Sequence, residues 1–263
     1  MCFSFTVWVS RPSQLRTTPL TTCGTQAGFL ATKIVVSQFR RLARVVLASG
    51  ALAGLVLFVV QQVAVIPLIE TAEAYESVAH GDASGIAGED EHWRPENGWQ
   101  RTSFTALATI LGSIAFAAIL FGLVALTGMP LDARRGALWG LAGFACFNLA
   151  PALGLPPQLP GVAVVDVYER QVWWVGTTAA TALGLWLLTG RRRTWTLRIA
   201  GVVCLALPHL VGAPSASGQT AVPAQLIQQF TMASVATAGM FWLLLGALGG
   251  FIHGRDKVHC VEE

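Results

Sequence analysis

The stretch SFTALATILGSIAFAAILFGLVALT, residues 103–127, carries no charged side chain and is long enough to cross a lipid bilayer. A hydrocarbon core of about 30 Å requires roughly 20 apolar residues in a helix. Five further runs are similar, although the run at 197–212 is short and broken by Pro208. The six runs cover residues 45–67, 103–127, 135–153, 172–189, 197–212 and 230–252. The sequence predicts an all-α polytopic transmembrane bundle of about six helices, or five if the 197–212 run is re-entrant.

Composition excludes a soluble enzyme or a secreted domain. The chain of 263 residues is 54% hydrophobic and only 12% charged, about half the charged share of a soluble domain. The net charge of +3 is small, and most bases lie in short clusters beside apolar runs. This pattern indicates a protein oriented in a lipid bilayer, and it argues against nucleic acid as a partner.

The arginine clusters predict the orientation of the bundle. They precede the first run, join the second to the third and the fourth to the fifth, and follow the sixth. With six spans they all fall on one side, while the loop at 68–102 on the other side carries eight acids and two arginines. The positive-inside rule then places both termini in the cytoplasm, and we expect a bacterial inner membrane.

Three segments are expected along the chain. Residues 1–37 form a basic extension without acids, which we interpret as disordered or as translation from an upstream start codon. Residues 38–255 form the transmembrane bundle with its acidic outer loop at 68–102. Residues 256–263 form a short cytoplasmic tail.

Motifs of soluble catalysis are missing from the sequence. It has no phosphate-binding loop, no serine elbow and no H-E-x-x-H zinc helix, so we expect no enzymatic activity. The five cysteines include no C-x-x-C pair, and no resident cofactor is expected.

Ionisable residues near membrane depth are the candidate metal ligands, because charge there is costly unless it has a function. Glu70 and Glu73 follow the first helix, and His92 lies among acids of the same loop. Glu169 precedes two tryptophans, and His209 follows the helix-breaking Pro208, about 16 Å along the helix from Arg198. Mixed carboxylate and imidazole ligands suit a divalent first-row metal ion.

Each candidate also has a structural interpretation. The outer loop could be solvated, Glu169 could pair with Arg170 at the interface, and His209 could bond a neighbouring carbonyl. Asn148 and Gln61 are more typical of interhelical hydrogen bonds. Gly136-xxx-Gly140 and Gly246-xxx-Gly250 fit close helix packing.

Several separated motifs occur in an order that resembles the CbtA family of proposed cobalt transporter subunits. They are IETAEAYE (69–76), LPPQLPG (155–161), YERQVWW (168–174), TTAATALGL (177–185), LPHLVGAP (207–214) and MFWLLLGALGG (240–250). The resemblance covers roughly residues 38–255 and implies cobalt import for cobalamin synthesis with a small single-span partner, CbtB. The positions that match family motifs are Glu70, Glu73, Glu169 and His209. The family is commonly described with five spans.

The leading hypothesis is therefore a membrane permease subunit for a divalent metal ion, most of all cobalt, which is cargo rather than cofactor. A non-transporting scaffold that docks a transporter through its glycine-lined helices is the alternative. A membrane enzyme is the weaker alternative, since no nucleophile and base are recognisable in the sequence.

Overall fold

All regular elements of the described chain are helical, as the sequence predicts. A computed structural model describes residues 23–81, 95–96, 98–189, 194–216, 218 and 220–259. The helices are α1 (Cys23–Ala64), α2 (Ile66–Gly81), α3 (Trp99–Thr127), α4 (Ala133–Phe144), α5 (Ala150–Gly154), α6 (Val167–Thr189), α7 (Trp195–Val211) and α8 (Ala224–His259), and a π-helical turn, Ala145–Leu149, joins α4 to α5.

The chain divides into two compact units, Met1–Arg40 and Arg41–Glu263. The described part of the first unit is the beginning of α1, so residues 23–37 of the predicted N-terminal extension are helical. Residues 1–22 of that extension lie outside the described residues. The second unit is the helical bundle.

Five helical segments of the described chain are long and apolar enough to cross a membrane: Val35–Ala64, Trp99–Thr127, Ala133–Gly154, Val167–Thr189 and Ala224–Arg255. They cover five of the six predicted runs and confirm a multi-pass membrane protein. The remaining run, 197–212, forms α7, an apolar helix of 17 residues and about 25 Å.

Residue contacts show that several pairs of long segments run antiparallel. A Cβ on Gly54 of α1 would touch Ser113 of α3, and a Cβ on Gly154 of α5 would touch Trp173 of α6. Arg41 is the first residue of α1 that belongs to the bundle, and its guanidinium donates to the carbonyl of His253 near the end of α8. Helix α3 therefore returns along α1, α6 returns along the segment Ala133–Gly154, and α8 runs antiparallel to α1.

Helix α7 also runs back along α6. Gly184 and Gly201 are in backbone contact near the end of α6, and the rings of Trp173 and His209 lie 6.0 Å apart near its beginning. The loop after α7 meets the loop after α5, because the N–H of Ala221 donates to the carbonyl of Gly161 at 3.0 Å. The contacts thus return the chain to the end of the bundle where α6 begins.

Glycine allows α4 and α8 to approach through their backbones. A Cβ on Gly136 would collide with the carbonyl of Gly246, and one on Gly140 would collide with the carbonyl of Trp242. A Cβ on Gly250 would likewise collide with the carbonyl of Asp132. The two glycine spacings noted in the sequence therefore pack against each other within this chain.

Candidate functional site

A partly open cavity of about 320 Å³ lies between α1, α3, the π-helical turn and α8. Among the residues that the structure describes, no charged side chain lines it, and the polar lining consists of hydroxyl and amide groups. The polar lining residues are Gln61, Thr109, Ser113, Asn148, Ser234 and Thr237. This cavity is the candidate functional site.

The cavity is polar toward one end of the bundle and apolar toward the other. Along α3 the lining changes from Thr109 and Ser113 to Phe116, and along α8 from Ser234 and Thr237 to aromatic residues. Phe116, Phe147 and Trp242 have ring centroids 5.3 to 5.5 Å apart. Of these three, Phe116 and Trp242 line the cavity, and Phe147 packs behind them.

Asn148 reaches the cavity from the segment Ala133–Gly154, which is locally wound as a π-helix. The indole N–H of the buried Trp242 donates to Oδ1 of Asn148 at 2.7 Å, so the amide is fixed against α8. Gly143 has no Cβ, which leaves room for the indole ring. The interhelical hydrogen bond predicted for Asn148 is confirmed.

Pro151 accounts for the irregular backbone around Asn148. It has no N–H to offer the carbonyl of Phe147, four residues earlier. In the π-helical turn, the N–H of Ala150 donates to the carbonyl of Ala145, so it is not available to the carbonyl of Cys146. Helix α6 supplies donors to both carbonyls: Trp174 Nε1 bonds Phe147 at 3.0 Å, and Thr178 Oγ1 bonds Cys146 at 3.1 Å.

An ion pair lies on the polar side of the cavity. Arg101 of α3 binds both carboxylate oxygens of Glu73 of α2, at 2.5 and 3.2 Å. Ala108 of α3 lines the cavity, and Arg101 lies seven residues before it. Arg101 is therefore on the same face of α3, about 10 Å closer to the beginning of the helix. Glu70 adds a second carboxylate near the guanidinium.

The two ends of the bundle carry opposite charge. Among the described residues 41–255, one end holds six acids and two arginines, and we call it the acidic end. Its charged residues are Glu70, Glu73, Glu76, Glu96, Arg101, Asp166, Glu169 and Arg170. The other, basic end holds Arg41, Arg44, Arg134, Arg135, Arg198, Arg255 and one acid, Asp132.

The candidate ligands named from the sequence fall into two groups at the acidic end. Glu70 and Glu73 accompany Arg101, whereas the exposed Glu169 and His209 flank Trp173: Glu169 precedes it by one helical turn, and His209 packs edge-on against its ring. His209 lies about 21 Å along α7, within one turn of its end.

His92 lies outside the described residues. Among the described ones, no group of three or more His, Cys, Asp or Glu side chains lies close enough together to hold a metal ion. The four described candidates, Glu70, Glu73, Glu169 and His209, are therefore not gathered into one site, and the ligand set stays a prediction.

Sequence reasoning missed the hydroxyl residues of the cavity. Thr109 and Ser113 are spaced by four, and Ser234 and Thr237 by three, so each pair lies on one helical face. That spacing was readable, but small polar residues are common in membrane helices and did not stand out. Gln61 and Asn148, which the sequence did single out, line the same cavity.

The fold and the cavity together define a polytopic helical membrane protein whose polar residues converge inside the bundle. A comparison with protein families matches residues 39–254 to the family described as "Probable cobalt transporter subunit (CbtA)". The chain belongs to this family, which confirms the resemblance seen in its motifs. No curated protein and no solved structure matches the chain.

Proposed function

We propose that this chain is the membrane-embedded subunit of a permease that carries a divalent metal ion, cobalt for cobalamin synthesis, across the bacterial inner membrane. The observation that carries the proposal is a polar cavity inside a bundle with one acidic and one basic end. The basic end is cytoplasmic by the positive-inside rule, and both termini lie there. A small single-span subunit similar to CbtB is the proposed partner.

The acidic end collects the cation in this proposal. Exposed carboxylates such as Glu70 and Glu169 raise the local concentration of a divalent ion through their electrostatic field. Glu73, His92 and His209 are the further proposed ligands. One or two of them would hold the ion at a time, which favours release into the bundle over tight retention.

The membrane potential, an ion gradient or a partner would supply the energy for entry, and the potential alone favours inward movement of a cation. A doubly charged ion that moves inward across 100 mV gains about 4.6 kcal/mol, twice the value of about 2.3 for one elementary charge. The metal is cargo in this scheme, and no resident cofactor is proposed.

The scaffold hypothesis docks a transporter through the glycine-lined helices of this chain. Of these glycines, those at 136, 140, 246 and 250 pack α4 against α8 inside the chain. A transporter that docked there would have to displace an intramolecular helix contact.

Uptake of radioactive cobalt into proteoliposomes tests the function. Vesicles that contain the purified chain, with and without the single-span partner, should accumulate cobalt under an inside-negative potential above the level of protein-free vesicles. Accumulation equal to protein-free vesicles in both preparations would refute the permease. Formation of a chemical product without ion flux would favour an enzyme.

A further inference from the structure

We propose that the cavity binds a divalent cation with its inner shell of water intact, through hydrogen-bond acceptors rather than through metal ligands. The inference rests on the proposed transport function and adds what the site recognises, namely a hexahydrated ion.

The hydroxyl groups of the cavity are left as acceptors. Ser113 donates its hydroxyl proton to the carbonyl of Thr109 at 2.7 Å, and Thr237 donates to the carbonyl of Ala233 at 2.9 Å. A hydroxyl has one proton and two lone pairs, so the oxygen of each residue keeps only acceptor capacity. Oδ1 of Asn148 accepts from Trp242 and retains a second lone pair.

The ligands that a bare divalent ion requires are missing from the lining. Sites for divalent ions in proteins normally include carboxylate, imidazole or thiolate groups, and no such side chain lines the cavity among the described residues, where Gln61 and Asn148 offer only neutral amide oxygens. Removal of an ion from water without charged partners is prohibitively costly. An ion that keeps its own water avoids most of that cost.

Size and hydrogen-bond polarity both match the hydrated ion. Six waters at about 30 Å³ each occupy about 180 Å³, which fits within the cavity of about 320 Å³. Waters bound to a divalent cation are strong donors, because the ion polarises their O–H bonds. Donors that point outward from the ion would therefore meet lone pairs on α3, α8 and the π-helical turn.

A site of this kind discriminates by charge and size more than by ligand preference. Co²⁺, Ni²⁺ and Mg²⁺ have similar hexahydrate shells, so the three ions should compete within about an order of magnitude at the cavity. A site of imidazole and thiolate would instead follow the order of metal–ligand affinities, with Mg²⁺ far weaker.

Cobalt(III) hexaammine is a suitable probe, since it cannot exchange its ligands and presents N–H donors in the geometry of the hydrated ion. Its binding to the full chain in nanodiscs of phosphatidylcholine, measured by equilibrium dialysis, should be saturable and displaced by Co²⁺. Ser113→Ala or Thr237→Val removes one acceptor, and each should weaken binding about tenfold. Ser49→Ala is the matched control, because buried Ser49 makes the same bond to the carbonyl four residues earlier but lies outside the cavity.

Unchanged affinity in the Ser113 and Thr237 variants would overturn the cavity proposal, as would bound hexaammine that Co²⁺ fails to displace in the wild type. The second result needs no variant to fold. Uptake in proteoliposomes separates this proposal from the transport function. Uptake without cavity binding refutes only the hydrated-ion site, and cavity binding without uptake refutes only the permease.

Discussion

The indole N–H of Trp174 donates to the carbonyl oxygen of Phe147 at 3.0 Å, and Phe147 is the residue whose normal helical donor is removed by Pro151. The bond between these two residues joins α6 to the π-helical turn between α4 and α5. Thr178 supports the neighbouring carbonyl of Cys146 in the same way. The geometry that presents Asn148 to the cavity therefore depends on side chains of α6.

Trp174→Phe should lower the free energy of unfolding by about 1–3 kcal/mol, because it leaves the Phe147 carbonyl without this donor. The loss should shrink when Pro151→Ala is also present, since the new backbone N–H at position 151 can bond the same carbonyl. Unfolding of the four proteins in one detergent gives a double-mutant cycle. Equal losses in both backgrounds would contradict the compensation.

The contact between α4 and α8 predicts a matched pair of glycine variants. Gly140→Ala places a Cβ against the backbone carbonyl of Trp242, which cannot move aside as a flexible side chain would, and should destabilise the protein by about 1–3 kcal/mol. Gly122→Ala is the control, because a Cβ there meets nothing within 4 Å. The folded fraction after heating in detergent, measured by size-exclusion chromatography, should fall only for Gly140→Ala.

The ion pair of Arg101 and Glu73 should have a small effect on stability. Both side chains are more than one third exposed, so Glu73→Gln should cost no more than about 1 kcal/mol. The charge-swapped double variant, Glu73→Arg with Arg101→Glu, separates a structural pair from a metal ligand. A structural pair predicts wild-type cobalt uptake in the swapped protein, and lost uptake with normal folding would identify the Glu73 carboxylate as a ligand.

The helices were predictable from the sequence because length and apolarity alone decide which segments cross a membrane. Residues 103–127 lie within a helix that begins at Trp99, only four residues earlier. The glycine spacing of α4 and α8 indicated close packing correctly, but the sequence could not tell that the two segments pack against each other. That pairing depends on how the intervening α6 and α7 return along the bundle.

The cavity was not predictable for a different physical reason. Asn148 and Gln61 belong to different helices, and their convergence depends on the π-helical turn that Pro151 induces. Sequence periodicity identifies the polar face of one helix, whereas a cavity depends on how several helices are rotated relative to one another. The sequence did place Glu169 and His209 among the candidates, but not the ring of Trp173 against which His209 packs.

The orientation of the bundle is testable with impermeant thiol reagents on a background without native cysteine. Ser215→Cys, in the loop after α7, should react from outside the cell, and Ala133→Cys, at the basic end, should be protected until the membrane is opened. Protection of position 215 would show that α7 does not cross. Labelling of position 133 from outside would reverse the orientation.

His209 tests the proposed entry of the cation at the acidic end. The imidazole is exposed, packs edge-on against Trp173, and lies within one turn of the end of α7, so it can meet a cation that Glu169 attracts. His209→Gln keeps a polar side chain but is a poor metal ligand, and it should lower cobalt uptake about tenfold at limiting metal, the loss expected for one strong contact. Raised cobalt concentration should restore the rate, because the loss is one of capture rather than of passage through the cavity.

Glu169→Gln should have the same concentration-dependent effect. The amount of folded protein in the membrane, measured by chromatography of a fluorescent fusion, should not change in either variant. Wild-type uptake at nanomolar cobalt in both variants would exclude this pair as the entry site and direct attention to Glu70 and His92.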